Sequence, residues 1–125
     1  MIVVDSSGWL EVMSLGPNAR HFKPVIQRTE AVIVPALVLY EVSKQAFLWQ
    51  GAEYAKAVAV MLGHAIYVEV SREIVATAVA VSLQHKLATA DSLIYATALE
   101  YDATLWTQDK HFKGLPSVKY FEKSA

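Results

Sequence analysis

Four short runs of β-branched and apolar residues divide the chain. Ile2–Val3–Val4 ends at Asp5, Ala31–Val34 ends at Pro35, Ile66–Val70 alternates, and Thr104–Thr107 is bounded by polar residues. Each reads as a strand, and Val118–Phe121 reads as a short last one. Between them the apolar positions recur at helical spacing. Gly8–Leu15 predicts a helix, with Ser6 or Ser7 as its cap. Gly16–Pro17–Asn18 breaks the chain, and Asn18 can cap a second helix toward Arg28, with a kink or early turn at Pro24. Pro35 stands where a helix's first position belongs. Ala36–Gln50 is helical with Gly51 as its stop, and Ala52–Leu62 is a further, alanine-rich helix. Ser71 caps a helix reaching about Lys86, with Glu73 in its first turn. Leu87–Ala88–Thr89 is a joint, and Thr89 caps Ala90–Tyr101. Asp109–Gly114 is a turn or a single helical turn.

Strands alternating with helices imply parallel pairing through right-handed crossovers. The expected fold is α/β, a three-layer α/β/α sandwich around a short, mainly parallel sheet. Such folds place their reactive crevice beyond the carboxyl ends of the strands. No repeat, low-complexity segment or linker interrupts the pattern, so one domain spanning 1–125 is expected.

Composition narrows the chemistry. Hydrophobic residues make up 54% and charged residues 18%, the reverse of a disordered chain. Mean hydropathy is +0.31, yet Glu41 stops one apolar stretch and His64 interrupts another. Neither stretch reaches the ~20 apolar residues of a membrane span. Met1–Val4 meets an acid at Asp5, so no signal peptide is expected, and the absence of cysteine suits the cytoplasm. That absence also excludes disulfides, zinc fingers, iron–sulfur clusters and thiol nucleophiles. With 11 basic and 12 acidic residues the net charge is −1, so any nucleic-acid contact must be local. No G-x-G-x-x-G or P-loop sequence occurs. A phosphoryl-accepting receiver is excluded too, because no aspartate lies between Asp5 and Asp91.

Four acids stand at telling places. Asp5 ends the first strand, Asp109 follows the fourth, Asp91 opens a helix, and Glu41 lies inside one with Leu37 and Val38 one turn before it. Each has an ordinary alternative: a helix cap for Asp5, a dipole contact for Asp91, a turn bond for Asp109, an ion pair with Lys44 for Glu41. Together, three of them map to one end of a parallel sheet. Clustered carboxylates repel unless a cation intervenes, and hard oxygen donors suit Mg²⁺ or Mn²⁺. An acidic, metal-binding crevice without a nucleophile points to phosphodiester hydrolysis.

At these residues the sequence resembles PIN-domain ribonucleases, most closely VapC-type toxins of toxin–antitoxin pairs. The matching segments are Val3–Val4–Asp5–Ser6–Ser7, Val38–Leu39–Tyr40–Glu41–Val42, Leu87 to Ala98 around Asp91, and Leu105 to Phe112 around Asp109. The resemblance implies a metal-dependent endoribonuclease that cuts RNA with a metal-activated water. Asp5 and Asp91 would ligate Mg²⁺ (or Mn²⁺), Asp109 would complete the pocket, and Glu41 would hold or position the water. Ser6 and Thr107 would support the acids. It further implies a VapB-like antitoxin and a homodimer. The alternative is a catalytically inactive PIN-like module acting through RNA or antitoxin binding. Lys44, Lys110, His111 and Lys113 are candidate phosphate contacts or ordinary surface charge. His111 lacks a second ligand at metal spacing, so no metal role is expected of it. Trp9, Tyr40, Phe47, Trp49 and Tyr54 are expected mostly in the core, some lining an antitoxin groove.

Overall fold

A computed structural model of the chain describes residues 1–123; Ser124 and Ala125, the end of the expected domain, lie outside the described residues. In chain order the elements are β1 (Ile2–Val4), α1 (Ser6–Met13), α2 (Ala19–Ile26), β2 (Val32–Pro35), α3 (Ala36–Leu62) and β3 (Ile66–Val68). They continue with α4 (Arg72–His85), α5 (Thr89–Glu100), β4 (Thr104–Thr107), a 3₁₀ turn (Lys110–Phe112) and β5 (Val118–Tyr120). The five strands form one sheet in the order β3-β2-β1-β4-β5. Every pairing is parallel, with Val3 opposite Ile33 on one side and Leu105 on the other.

Successive residues of a strand face opposite sides of a sheet. Val3 and Val4 are both fully buried, as are Val32 and Ile33, so helices cover both faces, as a three-layer α/β sandwich requires. The chain runs outward from β1 through β2 to β3, then returns to place β4 on the other side of β1. The strand order therefore reverses between β1 and β4. A crevice opens beyond their carboxyl ends, between connections that diverge in opposite directions.

The elements match the patterned segments, with differences at their ends. Asp5, not Ser6 or Ser7, caps α1: its carboxylate accepts the Gly8 N–H. The two serines are helical; the Ser6 hydroxyl donates to Glu41 and the Ser7 hydroxyl to Asp5 itself. Ala88, not Thr89, precedes α5. Asn18 precedes α2 without capping it; its side chain instead donates to Gln108 Oε1 and to the Glu122 carbonyl. β3 stops at Val68, short of Val70. Gly51 does interrupt α3, at φ 85° and ψ −175°, a conformation essentially restricted to glycine. Of the aromatics expected mostly in the core, Trp9 is there, at 2% exposure, whereas Tyr40, Phe47 and Trp49 are exposed.

Candidate active site

Asp5 leaves β1 directly into the crevice and is buried, at 3% exposure. Both carboxylate oxygens are held. Oδ1 accepts the Gly8 N–H at 3.1 Å and the Ser7 hydroxyl at 2.6 Å, and Oδ2 accepts the Thr107 hydroxyl at 2.6 Å. These bonds favour the charged form, but desolvation outweighs them, and Asp5 is pushed up to about 6. Thr107 ends β4, the neighbour of β1, and is fully buried. Its oxygen also accepts the Asp109 N–H at 2.9 Å. One hydroxyl thus ties the acid after β1 to the acid after β4.

Asp109 caps the 3₁₀ turn, its Oδ1 accepting the His111 N–H at 2.9 Å. Buried Phe112 anchors that turn in the core. The turn carries the His111 imidazole to the acids, with Nδ1 3.1 Å from Asp109 Oδ1 and 3.6 Å from Asp91 Oδ2. Asp91 comes from the first turn of α5. Glu41 arrives from α3, where its Oε1 accepts the Ser6 hydroxyl at 2.5 Å. Lys44 does not pair with it; that ammonium lies over the Tyr40 ring, 5.7 Å from its centroid.

The four acids are electrostatically one group. Burial raises Asp91 above the ordinary carboxylate range, and the charges of Asp109 and Glu41 raise it further, against an opposing pull from His111. Repulsion from Asp109 also reaches Asp5. Among the described residues no lysine or arginine forms an ion pair with any of the four. Excess negative charge in a partly dry crevice, with fixed oxygen donors and no lysine or arginine paired to it among the described residues, fits a divalent cation. One ligand atom each from Asp91, Asp109 and His111 lie within 4.8 Å of one another.

Asp5, Glu41, Asp91, Asp109, Ser6 and Thr107 therefore all meet at this end of the sheet. Ser7 and Gln108, which are not among the expected site residues, also join this cluster. Ser7 bonds Asp5 and accepts the Gln108 N–H at 3.2 Å. The Gln108 amide donates to Glu11 at 3.2 Å while accepting from Asn18 at 3.0 Å, pinning the loop after β4 to α1. Ser7 follows Asp5 closely in a matching segment, which could have drawn attention to it. His111, of which no metal role is expected for want of a second ligand at metal spacing, meets Asp91 by a non-local contact and Asp109 within its own turn.

A model of the PIN domain matches residues 2–117. Among solved structures the chain is similar to a toxin–antitoxin complex from Klebsiella pneumoniae, with TM-score 0.84 and 21% identity over 99% of this chain and 100% of that one. It is also similar to VapBC2 from Rickettsia felis bound to a promoter DNA fragment, with TM-score 0.75 and 15% identity over 98% and 100% of the two chains. VapC20 from Mycobacterium tuberculosis, a toxin that cleaves the sarcin–ricin loop, gives TM-score 0.68 and 20% identity over 92% of each chain. No curated protein sequence matches.

Proposed function

The chain belongs to the PIN-domain family, and from that premise we propose that it is a metal-dependent endoribonuclease, the toxin of a VapBC-type toxin–antitoxin pair. The observation that carries this reading is the convergence of Asp5, Glu41, Asp91 and Asp109, from four separate segments, on the crevice where the strand order reverses. Asp5 and Asp91 are the residues proposed to hold Mg²⁺ or Mn²⁺, with Asp109 completing the pocket. The bound ion would act as a Lewis acid on the phosphoryl group and lower the pKa of a water.

The chain's own groups supply the rest. Ser6 fixes Glu41 in an orientation from which it can accept a proton from the attacking water. Thr107 and Ser7 fix Asp5, and Thr107 fixes the backbone at Asp109, so little reorganisation is needed as charge develops on the phosphate. A pocket of about 530 Å³ beside Asp109, lined in part by Lys110 and Lys123, can take the flanking phosphates. The sarcin–ricin loop named for VapC20 supports RNA as the substrate class.

The toxin–antitoxin complexes among the similar structures support a VapB-like partner here. So does an apolar groove of about 560 Å³ along α3, with Leu39, Tyr40, Phe47 and Leu48 in its walls. A homodimer fits the exposed stripe Val75, Val79 and Leu83 on α4. No helix among the described residues is long and apolar enough to cross a membrane, in keeping with a cytoplasmic site of action.

The test is cleavage of a mixed RNA pool by the purified, partner-free chain with Mg²⁺ or Mn²⁺, read by sequencing the new RNA ends. Asp5→Asn and Asp91→Asn should each slow cleavage on the order of 100-fold or more. Equal cleavage by Asp91→Asn and the parent chain would overturn the reading. RNA binding without cleavage at any divalent ion would instead favour the inactive module.

A further inference from the structure

We propose that His111 is itself a ligand of the cation in this crevice, and that the site consequently prefers Mn²⁺ to Mg²⁺. The inference rests on the metal-binding reading above and adds to it the identity of a donor and the selectivity that donor confers.

Three observations support it. First, Nδ1 of His111 belongs to the same compact set as Asp91 and Asp109, all three ligand atoms lying within 4.8 Å of one another. Second, the ring is brought there by the fold. The His111 side chain is 66% exposed, so solvent alone could accommodate it in many rotamers. It nevertheless stands on a 3₁₀ turn capped by Asp109 at one end and anchored by buried Phe112 at the other, with its own N–H bonded to Asp109 Oδ1. Third, no lysine or arginine among the described residues pairs with the acids. The nitrogen therefore faces a carboxylate cluster whose charge is otherwise uncompensated by ion pairs.

The donor chemistry sets the preference. Mg²⁺ favours carboxylate, carbonyl and water oxygens, whereas imidazole nitrogen suits first-row transition ions. Adding one imidazole to the carboxylates of Asp5, Asp91 and Asp109 keeps the oxygens that Mn²⁺ and Mg²⁺ share and adds one donor from which Mn²⁺ gains more. Coordination through Nδ1 uses the neutral ring with its proton on Nε2. The 3₁₀ turn, closed by the bond from the His111 N–H to Asp109 Oδ1, keeps the ring directed at the crevice.

The test uses the whole chain with Mn²⁺ as the probe and no RNA. Mn²⁺ affinity is measured by electron paramagnetic resonance, Mg²⁺ affinity by competition, and directly bound ¹⁴N by electron spin-echo envelope modulation. The parent chain should show a bound ¹⁴N. In His111→Ala that signal should disappear and Mn²⁺ affinity should fall at least ~10-fold, while Mg²⁺ affinity changes little. His111 is surface-exposed, so this variant keeps the core intact.

Bound Mn²⁺ without ¹⁴N coupling, or His111→Ala with unchanged Mn²⁺ affinity, overturns the inference and leaves the imidazole as a counter-ion only. Asp91→Asn separates this from failure of the underlying reading. If Mn²⁺ binding is lost in Asp91→Asn but the parent chain lacks ¹⁴N coupling, the metal centre stands and the histidine ligand falls. If Asp91→Asn binds Mn²⁺ as the parent does, both fall.

Discussion

Asp5 is held by three hydrogen bonds that favour its anion, yet burial raises it from 3.8 to about 6. Between those values the folded chain retains a proton that the unfolded chain has released, so stability falls as pH rises. The contribution is fully present below pH 3.8 and lost as pH passes about 6. Its size, at about 1.4 kcal/mol per pH unit, is on the order of 3 kcal/mol. In a chelator-treated sample, urea unfolding should show Asp5→Asn gaining stability relative to the parent as pH rises across this window. Parallel profiles for the two chains would show that Asp5 is not the group responsible. The residue scale is also where the sequence was least legible. Asp5 could be seen as a cap or as a site acid; the structure shows the cap, and its second carboxylate oxygen reaches Thr107, 102 positions away. His111 meets Asp91 only once α5 and the turn after β4 are packed, and no spacing encodes that.

At the scale of elements the sequence was far more legible, because strands and helix breaks are local. The buried runs at Ile2–Val4 and Val32–Val34 have no competing period, and Gly51 and Pro35 punctuate the chain where the backbone turns. The faces of α3 were not legible. Its apolar and polar residues are mixed around the helix, so helical spacing does not choose which side is buried, and Tyr40, Phe47 and Trp49 turned outward. The break itself has a single cause. A Cβ added at Gly51 would meet nothing within 4 Å, so space does not require glycine; the backbone at φ 85° does. Gly51→Ala should therefore destabilise the chain by about 1–3 kcal/mol through backbone strain alone, measured by equilibrium urea unfolding. An unchanged midpoint would mean that the two arms of α3 can rejoin as one helix without loss.

Across the whole molecule, 11 basic side chains nearly balance 12 acidic ones, and the crevice concentrates four of the acids. The proposed RNA substrate would approach a region that repels phosphate, so its binding would depend on the few cations at the edge. Lys110 and Lys123 line the pocket beside Asp109. Lys113 is already engaged, 3.6 Å from Glu122 and over the Tyr120 ring. Lys44, over Tyr40, lines the apolar groove along α3. Each phosphate neutralised on a single strand steepens the dependence of log affinity on log salt by about 0.7. Two or three such contacts give a slope between about −1.4 and −2.1, much shallower than that of a protein with a basic face. Fluorescence anisotropy of a labelled single-stranded RNA on Asp5→Asn, which should leave the RNA uncut, measures this slope directly. Lys110→Ala should make it shallower by about 0.7 and weaken binding similarly for unrelated sequences, since a phosphate contact carries no base information. A slope steeper than about −5 would place the RNA across a far larger basic surface than the crevice edge offers.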